Sequence, residues 1–488
     1  MLSFIIFFPI AAIAAIALLP RERESWAKWI AAAVSAVILA LTLVLFVAYD
    51  RDPGGFQFVD SHVWMESDFV DFTLQYAVGV DGLSLALVML TGFLFLVAVL
   101  ISWRIDLRPR EYFALLMVLE TSLLGVFSAL DFVLFFLFWE IELIPMYFLI
   151  SIWGTGRKTY SAWKYVLYTL FGSSFMLVGI LVLGFSAGTF DIRELGQIGE
   201  IKDAVIPVQA IFFLLIIAFG IKLPVVPFHT WLPDAHTDAP TAVSVILAGV
   251  LLKMGGYGIL RLSFSIMPDV ARDASVWLAA FAVLSILYGA IVTLMQTDLK
   301  RLIAYSSVSH MGYVLLGASA LGTVGLTGAA MQMFTHGLIT GLLFVLVGMV
   351  YDRTHTRNIG DLSGLAHRMP FIATMMVLAG LASLGLPSLA GFVSEVTVFL
   401  GTFARHEFLT VLGVIGIVLT AGYILWMIQR VFWGELSAEW DDIGDATAWW
   451  ERGPLLAMVA VIFLVGVYPA VILDLLETSM VPIAERLA

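Results

Sequence analysis

Residues 211–255 read IFFLLIIAFGIKLPVVPFHTWLPDAHTDAPTAVSVILAGVLLKMG, and this stretch decides the fold. Eleven uncharged, mostly apolar residues lead into Lys222, and two prolines, Pro224 and Pro227, follow at once. A second lysine, Lys253, lies deep in the next apolar run. An unpaired lysine in hydrocarbon costs a few kcal/mol, so lysines within membrane spans usually face the protein interior and mark ion or proton paths. We therefore predict a functional site around these two cations.

Pro224 predicts a break in the helix at membrane depth. A proline lacks the backbone hydrogen-bond donor and clashes with the carbonyl group four residues earlier. The polar backbone groups that are freed in this way are tolerated in a membrane only where protein or a water-filled cavity satisfies them. The sequence therefore indicates a broken helix and a hydrated site beside Lys222.

The composition is that of a polytopic membrane protein. Of the 488 residues, 61% are hydrophobic and only 13% are charged, and the mean hydropathy is +1.01. The net charge is −12, but the carboxylates concentrate in connecting segments such as 50–71 and 435–451, so the acidity does not indicate nucleic-acid binding. The absence of cysteine excludes disulfides and thiolate-ligated iron–sulfur clusters within this chain. The sequence contains neither a nucleotide-binding motif nor a zinc-ligand spacing.

Fourteen apolar runs of about 18 to 25 residues predict fourteen transmembrane helices. These spans are 2–19, 27–48, 80–103, 111–130, 132–151, 161–184, 207–228, 242–264, 274–295, 301–320, 325–350, 371–400, 408–433 and 453–476. Of the 25 Lys and Arg residues, 16 lie in or beside the loops that follow odd-numbered spans. Because basic residues accumulate on the cytoplasmic side, both termini are predicted to face the periplasm. The basic residues follow the first span, whereas in a cleavable signal peptide the positive charge precedes the apolar segment. We therefore expect the first span to be retained.

A faint internal repeat links two Leu-Pro breaks. GIKLPVVPF at 220–228 resembles GLPSLAGF at 385–392, which lies five spans later. An odd offset reverses the orientation of equivalent helices, as in inverted-repeat transporters with discontinuous helices. We therefore predict an all-α fold with two inverted five-helix repeats, spans four to eight and nine to thirteen, whose seventh and twelfth spans are broken. The predicted parts are an N-terminal three-helix segment at 1–110, the first repeat at 111–264 and the second repeat at 265–433. A C-terminal loop with the last helix follows at 434–488.

The candidate partners of Lys222 are carboxylates in neighbouring spans. Glu140 and Glu142 of span five lie two residues apart, about 200° around a helix, so only one of them can face the lysine. Such a pair either takes part in proton transfer or simply fastens the two helices. Glu120 in span four is a third buried carboxylate. A functional role and a simple hydrogen bond between helices are equally good interpretations of it.

A polar connection with His229, Asp234, His236 and Asp238 follows the break. These side chains can conduct protons, form an entrance or cap helices. For Asp238 we favour a cap, because the Ala-Pro-Thr sequence at 239–241 resembles a helix start with proline in its first turn.

Two histidines lie within apolar spans of the second half. His310 ends the hydroxyl-rich run YSSVSH of span ten, and His336 lies in span eleven between threonines. A histidine in such a helix usually forms a hydrogen bond between helices, but its titration near neutral pH also suits a proton relay. Two of them, flanked by hydroxyl groups, favour the relay, although paired histidines can also ligate haem. Glu395 follows the second Leu-Pro break in span twelve.

Two runs of the sequence resemble the antiporter-like subunits of respiratory complex I. They are KLPVVPFHTWLPDAHTDAPTAVSVILAGVLLKMG and, later in the chain, TDLKRLIAYSSVSHMGY. The resemblance extends to Mrp-type cation/proton antiporters and membrane-bound hydrogenases, and it covers about residues 110–430. It implies a fold of fourteen helices with broken helices seven and twelve. It also implies proton translocation in a bacterial inner membrane, beside other membrane subunits of an NADH:quinone oxidoreductase. No cofactor is expected in this chain, since NADH, FMN, iron–sulfur clusters and quinone belong to partner subunits.

The resemblance also assigns roles to particular side chains. By position, Glu140 matches the span-five glutamate of the family, Lys222 its span-seven lysine and Lys253 its central span-eight lysine, whereas Glu142 has no counterpart. Glu395 lies where one sister subunit has glutamate and the others have lysine, so one particular family member is implied. The resulting hypothesis is a charged axis for proton transfer. It runs from the pair of Glu140 and Lys222 to Lys253, then through His310 and His336 with intervening water, and ends at Glu395. Two further histidines, His229 and His236, are weaker candidates for proton transfer.

Two other functions stay open on the sequence. An independent antiporter that exchanges Na⁺ or K⁺ for protons would use similar buried charges. A structural or haem-holding membrane subunit is the second alternative. The polypeptides that co-purify with the chain distinguish the first alternative, and absorbance in the visible range distinguishes the second.

Overall fold

The computed structural model describes residues 1–52, 54–67, 72–198 and 205–488. Its secondary structure is mostly helical. Within this described part, ten helices are long and apolar enough to cross a membrane, and four shorter apolar helices accompany them. The prediction of a polytopic helical membrane protein is therefore confirmed.

Three helices and a β-hairpin form the N-terminal segment. They are α1 (Leu2–Ala17), α2 (Ala27–Ala48), β1 (Gln57–Ser67), β2 (Phe72–Val80) and α3 (Gly82–Ile101). The two strands are antiparallel, with Ser61 opposite Ala77. The all-α prediction is wrong here, because FTLQYAVGV is rich in β-branched and aromatic residues that favour a strand.

In the described part of the first predicted repeat, the chain forms nine helices. They are α4 (Pro109–Ser128), α5 (Phe132–Ile141), α6 (Leu143–Trp153), α7 (Lys158–Ala187), the short α8 (Ile192–Leu195), α9 (Val208–Lys222), α10 (Trp231–Asp238), α11 (Thr241–Ile246) and α12 (Leu252–Gly258). Asp131 divides α4 from α5, since its carboxylate accepts from the backbone N–H groups of Val133 and Leu134 at 2.9 and 3.0 Å. A π-helical turn, Leu247–Leu251, joins α11 to α12, and a second one, Ile259–Phe264, continues the same span after α12.

The predicted break after Lys222 is confirmed. The helix α9 ends at this lysine, and the next helix begins only at Trp231. The chain between them satisfies its freed backbone groups with side chains: Trp231 Nε1 donates to the carbonyl of Ile221 at 2.9 Å, and Ser285 Oγ accepts from the N–H of Val226 at 3.1 Å. The irregular backbone is therefore held by neighbouring protein, as membrane depth requires.

Six helices follow in the region of the second predicted repeat. They are α13 (Pro268–Leu294), α14 (Leu299–Ser319), α15 (Thr323–Thr354), α16 (Pro370–Ser383), α17 (Ala390–Phe403) and α18 (Glu407–Phe432). The predicted span 371–400 is thus two helices with a break between them, as the second Leu-Pro sequence indicated. The spans Thr241–Phe264 and Thr323–Thr354 are the centre of the protein, since their apolar windows are completely buried.

The C-terminal region corrects the last predicted span. Instead of one helix over 453–476, the structure has α19 (Trp449–Val467) and α20 (Ala470–Leu487). Pro469 explains the division, because a proline disfavours helical backbone in the residue before it, and Tyr468 has φ −129° and ψ 72°. The helix α20 contacts the start of α3, where Ser479 Oγ accepts from the N–H of Leu83 at 3.0 Å.

Candidate functional site

Lys222 lies in a closed ion pair at the end of α9. The lysine is 1% exposed and pairs with Glu142, which lies at the turn between α5 and α6. Tyr165 of α7 donates from its hydroxyl to the Glu142 carboxylate at 2.5 Å, and Lys222 Nζ donates to the same hydroxyl at 3.0 Å. The Trp139 ring centroid is 5.5 Å from Nζ. The cation is therefore enclosed by a carboxylate, a hydroxyl and aromatic rings.

The structure pairs Lys222 with Glu142 and not, as predicted, with Glu140. Helix geometry allowed only one of the two carboxylates to face the lysine, and the family position alone selected the wrong one for this contact. Glu140 is half-buried, and the Ser173 hydroxyl lies beside it. Within the described residues, one Glu140 carboxylate oxygen is buried without a hydrogen-bond partner. A role for Glu140 in proton transfer stays a prediction.

Lys253 is completely buried in α12, between the two π turns. Its Nζ contacts the carbonyl oxygen of Ala248 in the first π turn and lies 2.8 Å from Nδ1 of His336 in α15. The side chain forms no ion pair within the part of the chain that the structure describes. The lysine and the histidine share one hydrogen bond, so a proton can reside on either partner.

His310 and Glu395 continue this chain of titratable groups. The His310 and His336 ring centroids are 5.7 Å apart, and His310 Nδ1 lies 3.5 Å from the Glu395 carboxylate. Ser383 Oγ lies 3.4 Å from His310 Nε2. These groups border a cavity of about 10 Å³, enough for about one water molecule. Its polar lining consists of His310, Gln332, Thr335, His336, Thr340, Ser383 and Glu395.

The second helix break determines how Glu395 is placed. Gly385, in the gap between α16 and α17, has φ +75°, which favours glycine. A Cβ atom at this position would overlap with the Glu395 carboxylate. The sequence therefore needs glycine here for the carboxylate to approach the break.

The weaker candidates His229 and His236 form no hydrogen bond with Lys253, His336, His310 or Glu395 among the described residues. The ring of His236 is completely buried and stacks on Phe344 at 4.6 Å, whereas His229 lies 5.0 Å from the ring of Tyr288. Neither ring has a hydrogen-bond partner among the described residues. Their part in proton transfer stays a prediction.

Two other polar side chains have structural contacts. The predicted cap by Asp238 is wrong: α11 begins at Thr241 without a side-chain cap, and the Asp238 carboxylate instead accepts from Ser161 Oγ of α7 at 2.6 Å. Asp238 lies too early in the chain to cap α11, because Pro240 is the N-cap residue. Glu120 accepts from Ser35 Oγ of α2 at 2.9 Å, which is the helix-to-helix hydrogen bond that was one of its two interpretations.

Sequence reasoning missed Tyr165. The residue lies in the run KYVLYTLF of α7, which also contains Tyr168. The Tyr168 hydroxyl is 2.7 Å from Thr230 Oγ1, away from the ion pair. No signal in the sequence distinguishes these two tyrosines, because only the packing of α7 against α9 decides which of them reaches Lys222.

The geometry does not fit a haem between His310 and His336. Their shared cavity of about 10 Å³ is far too small for a porphyrin, and His336 already contacts Lys253. Among the described residues, no group of three side chains could hold a metal ion. The arrangement instead suits the transfer of protons between side chains.

Two broken helices, with buried lysine, histidine and carboxylate side chains at and between the breaks, define a class of ion-translocating membrane proteins with discontinuous helices. The chain belongs to the family described as "NADH:quinone oxidoreductase/Mrp antiporter, TM", whose profile matches residues 129–420. The resemblance seen in the sequence motifs is therefore confirmed.

Individual relatives make the likeness more specific. The chain is 41% identical to NADH-quinone oxidoreductase subunit M of Rhodobacter capsulatus, over 100% of this chain and 96% of that protein. A chain of respiratory complex I from Thermus thermophilus with bound NADH has a TM-score of 0.90 and 29% identity, and each chain is covered completely. A chain of the Mrp complex from Dietzia sp. DQ12-45-1b has a TM-score of 0.85 at 20% identity, covering 100% of this chain and 99% of that one, which shows the fold alone. The likeness to subunit M, the family member that Glu395 indicated, is confirmed.

Proposed function

We propose that this chain is the proton-translocating M-type subunit of a bacterial NADH:quinone oxidoreductase. The observation that carries the proposal is the buried line from Lys253 through His336 and His310 to Glu395, next to the second helix break. A relative named NADH-quinone oxidoreductase subunit M, similar over the whole length of the chain, supports the same assignment. Quinone reduction itself belongs to other subunits, which hold NADH, FMN, iron–sulfur clusters and quinone.

The proton path has two parts. In the first part, Lys222 and Glu142 open and close as an ion pair, and the protonation of both groups depends on whether they touch. In the second part, protons pass between Lys253 and His336, then through one water molecule and His310 to Glu395. Carrying one charge against about 150 to 200 mV requires about 3.5 to 4.6 kcal/mol. Breaking a buried ion pair involves about 3 to 5 kcal/mol, so the opening of this pair has the required magnitude.

The proposed architecture follows the family. Fourteen transmembrane helices form two inverted five-helix repeats, and the breaks at 223–230 and 384–389 are equivalent positions of the two repeats. Both chain termini face the periplasm, and sister antiporter-like subunits lie beside this one in the inner membrane. The similar placement of a titratable pair at each break, Lys222 with Glu142 and His310 with Glu395, supports the repeat.

The test uses the complex purified through a tag on this chain and reconstituted in proteoliposomes. We expect NADH-driven quinone reduction that acidifies or alkalinises the lumen independently of Na⁺, and a loss of this proton movement in Lys253→Met. Glu120→Gln is the matched control, because Glu120 is also a completely buried charge-bearing residue, with a single hydroxyl partner. Co-purification with antiporter subunits alone, together with Na⁺-dependent exchange, would contradict the proposal and favour an Mrp-type antiporter.

A further inference from the structure

A cavity of about 170 Å³ lies between α9 and α13, beside the first helix break. Its lining consists of hydrophobic side chains from these two helices, from the break, from the second π turn and from α14, together with Gly220. The partners of Lys222 lie elsewhere, on α7 and at the turn between α5 and α6. The break therefore has a polar side toward the ion pair and a hydrophobic side toward this cavity, which we call the break cavity.

The backbone at 224–228 has its hydrogen-bond donors already engaged. Two of these five residues are prolines, which have no N–H group. The N–H of Val225 donates to the carbonyl oxygen of Gly220 at 2.8 Å, and that of Phe228 donates to the carbonyl oxygen of Val225 at 2.7 Å. The remaining N–H, that of Val226, donates to Ser285 Oγ at 3.1 Å. Because an apolar cavity of about 150 Å³ stays dry and binds small apolar molecules, the break cavity suits hydrocarbon rather than water.

Helix geometry places the deep end of the break cavity near the middle of the membrane. Gly220 in α9 lies about 18 Å along the helix axis from the first residue, Val208. Phe281 in α13 lies about 20 Å from the first residue of that helix, Pro268. The hydrocarbon core of a bilayer is about 30 Å thick, so its centre is about 15 Å from either surface. The methyl ends of lipid acyl chains lie at this depth.

The opening of the break cavity faces outward between the two helices. Phe213, Trp277 and Phe281 border the cavity and are 46%, 69% and 44% exposed. Val225 and Val226 form its floor and are each only 9% exposed. Large exposed hydrophobic side chains at this depth form a surface for contact with the membrane. An acyl chain that lies along α13 can therefore turn inward and reach the floor.

The charges between the start of α13 and the opening favour a zwitterionic headgroup. They belong to Asp269, Arg272 and Asp273, and Arg272 pairs with Asp269. By helix rise, these residues lie about 6 to 12 Å from Trp277, toward the membrane surface. One positive and two negative charges repel an anionic headgroup, but they offer a donor to a phosphate and acceptors to an ammonium group.

We propose that the break cavity binds one acyl chain of a zwitterionic phospholipid, which enters between α9 and α13 by its methyl end and packs on Val225 and Val226. An empty cavity would leave the lining side chains without contacts on one side, and the bilayer supplies acyl chains in large excess. The site requires only that this protein spans a membrane, so it stands whether or not the protein moves protons.

The experiment uses the purified whole complex in vesicles of phosphatidylethanolamine and phosphatidylcholine that contain a trace of photoactivatable phosphatidylethanolamine. One probe carries a diazirine at the methyl end of an acyl chain, and a second probe carries it next to the carbonyl group. After illumination, mass spectrometry of peptides locates the adducts. We expect the methyl-end probe to label the buried residues Val225 and Val226, and the carbonyl-end probe to leave them unlabelled.

A filled cavity provides the second measurement. A Cβ atom at Gly220 would lie 3.9 Å from Val225, an ordinary van der Waals distance, so a leucine fits there and covers the floor. We expect Gly220→Leu to lose the labelling of Val225 and Val226. The matched control is Gly422→Leu in α18, because Gly422 is exposed and a Cβ atom there would lie 3.9 Å from Leu294, away from the break cavity. This control should keep the labelling.

The other outcomes overturn the proposal. Adducts confined to exposed residues such as Trp277 and Phe281 would mean that lipid covers the surface without entering. Equal labelling of the floor by both probes would contradict entry by the methyl end, and unchanged labelling in Gly220→Leu would place the bound chain elsewhere. An absence of lipid adducts from the whole cavity would assign this face to contact with a neighbouring subunit.

Discussion

The two helix breaks hold their charged groups in different ways. At the first break, the Lys222 ammonium touches the Glu142 carboxylate directly, and Tyr165 contacts both of them. At the second break, His310 and Glu395 are 3.5 Å apart and border a cavity of about 10 Å³. The first is a tight pair of full charges without intervening water space, and the second is a looser pair with room for a water molecule.

This difference suggests a division of labour. A pair of full charges changes its energy steeply when it separates, which suits a switch that responds to events in a neighbouring subunit. A histidine and a carboxylate that share a small polar cavity change their energy less, and they can exchange a proton through water. We therefore expect substitutions at the first break to be more severe than equivalent ones at the second.

The largest effect is expected at the first break. Lys222→Ala leaves Glu142 without its counter-charge, and Glu142→Gln removes the charge that holds Lys222. Because removing one partner of a buried ion pair costs about 3 kcal/mol or more, each change shifts the balance between the open and closed states about 100-fold. The proton-to-electron ratio of the reconstituted complex should fall sharply with assembly retained. Glu140→Gln, two residues before Glu142, is the control, and it should be milder if the pairing in the structure governs function. Equal losses in Glu140→Gln and Glu142→Gln would contradict this.

The next effect concerns Lys253, which lies between the two breaks along the chain and contacts His336. Lys253→Arg keeps the positive charge but cannot release a proton at an accessible pH. We expect a relay to fail with arginine, so pumping should drop by about 100-fold or more, the usual scale for removing a proton-transfer group. Proton uptake and NADH oxidation measured together provide the check. Full activity of this variant would make Lys253 a structural or electrostatic cation and would remove it from the path.

At the second break, Glu395→Gln preserves shape and hydrogen bonding but removes titration. We expect pumping to be lost to a smaller extent than in Lys222→Ala, because the water-sized cavity leaves His310 a second proton acceptor. Glu395→Lys restores a titratable group of the kind that sister subunits carry, and it should recover part of the activity. Normal pumping by a correctly assembled Glu395→Gln complex would show that the carboxylate is not an obligatory proton carrier.

The smallest of these effects is expected from Tyr165→Phe, which keeps the ring and removes the hydroxyl. A hydrogen bond to a charged group contributes about 1.5 to 3 kcal/mol, so the ion pair should open roughly 10- to 100-fold more often. The readout is the pH profile of pumping, which a purely structural tyrosine would leave unchanged. Tyr168→Phe is the matched control, since that hydroxyl bonds to Thr230 instead. Identical pH profiles in the two variants would exclude a role of Tyr165 in the switch.

Much of the fold could be predicted because membrane burial leaves a strong sequence signal. Runs of apolar residues gave the helices, and proline fixed both breaks, since its missing donor cannot be compensated within a helix. The β-hairpin was missed because it lies outside the long apolar runs, whereas α20 was missed because the predicted run 453–476 continues into its first residues. Pro469 does indicate the division before α20, but a prediction from the length of apolar runs takes no account of proline.

The site was predictable in its types of residue but not in its pairing. Lysine, histidine and glutamate within apolar runs identified Lys253, His310, His336 and Glu395, which the structure brings together. The choice between Glu140 and Glu142 depends on how the chain turns between α5 and α6, a detail that periodicity does not contain. Tyr165 escaped notice because a tyrosine in a membrane helix is ordinary until its hydroxyl is found beside a buried charge.

The two π turns on either side of Lys253 amount to one additional residue each in an otherwise regular helix. An additional residue rotates every later side chain by about 100° around the helix axis. The first turn, Leu247–Leu251, thus aims Lys253 in a direction that a continuous α-helix would not give it, and the second, Ile259–Phe264, rotates the end of the span once more. A single-residue deletion within the first turn would straighten the helix and point the lysine away from His336. The exact number of residues in this helix therefore determines whether Lys253 points toward His336.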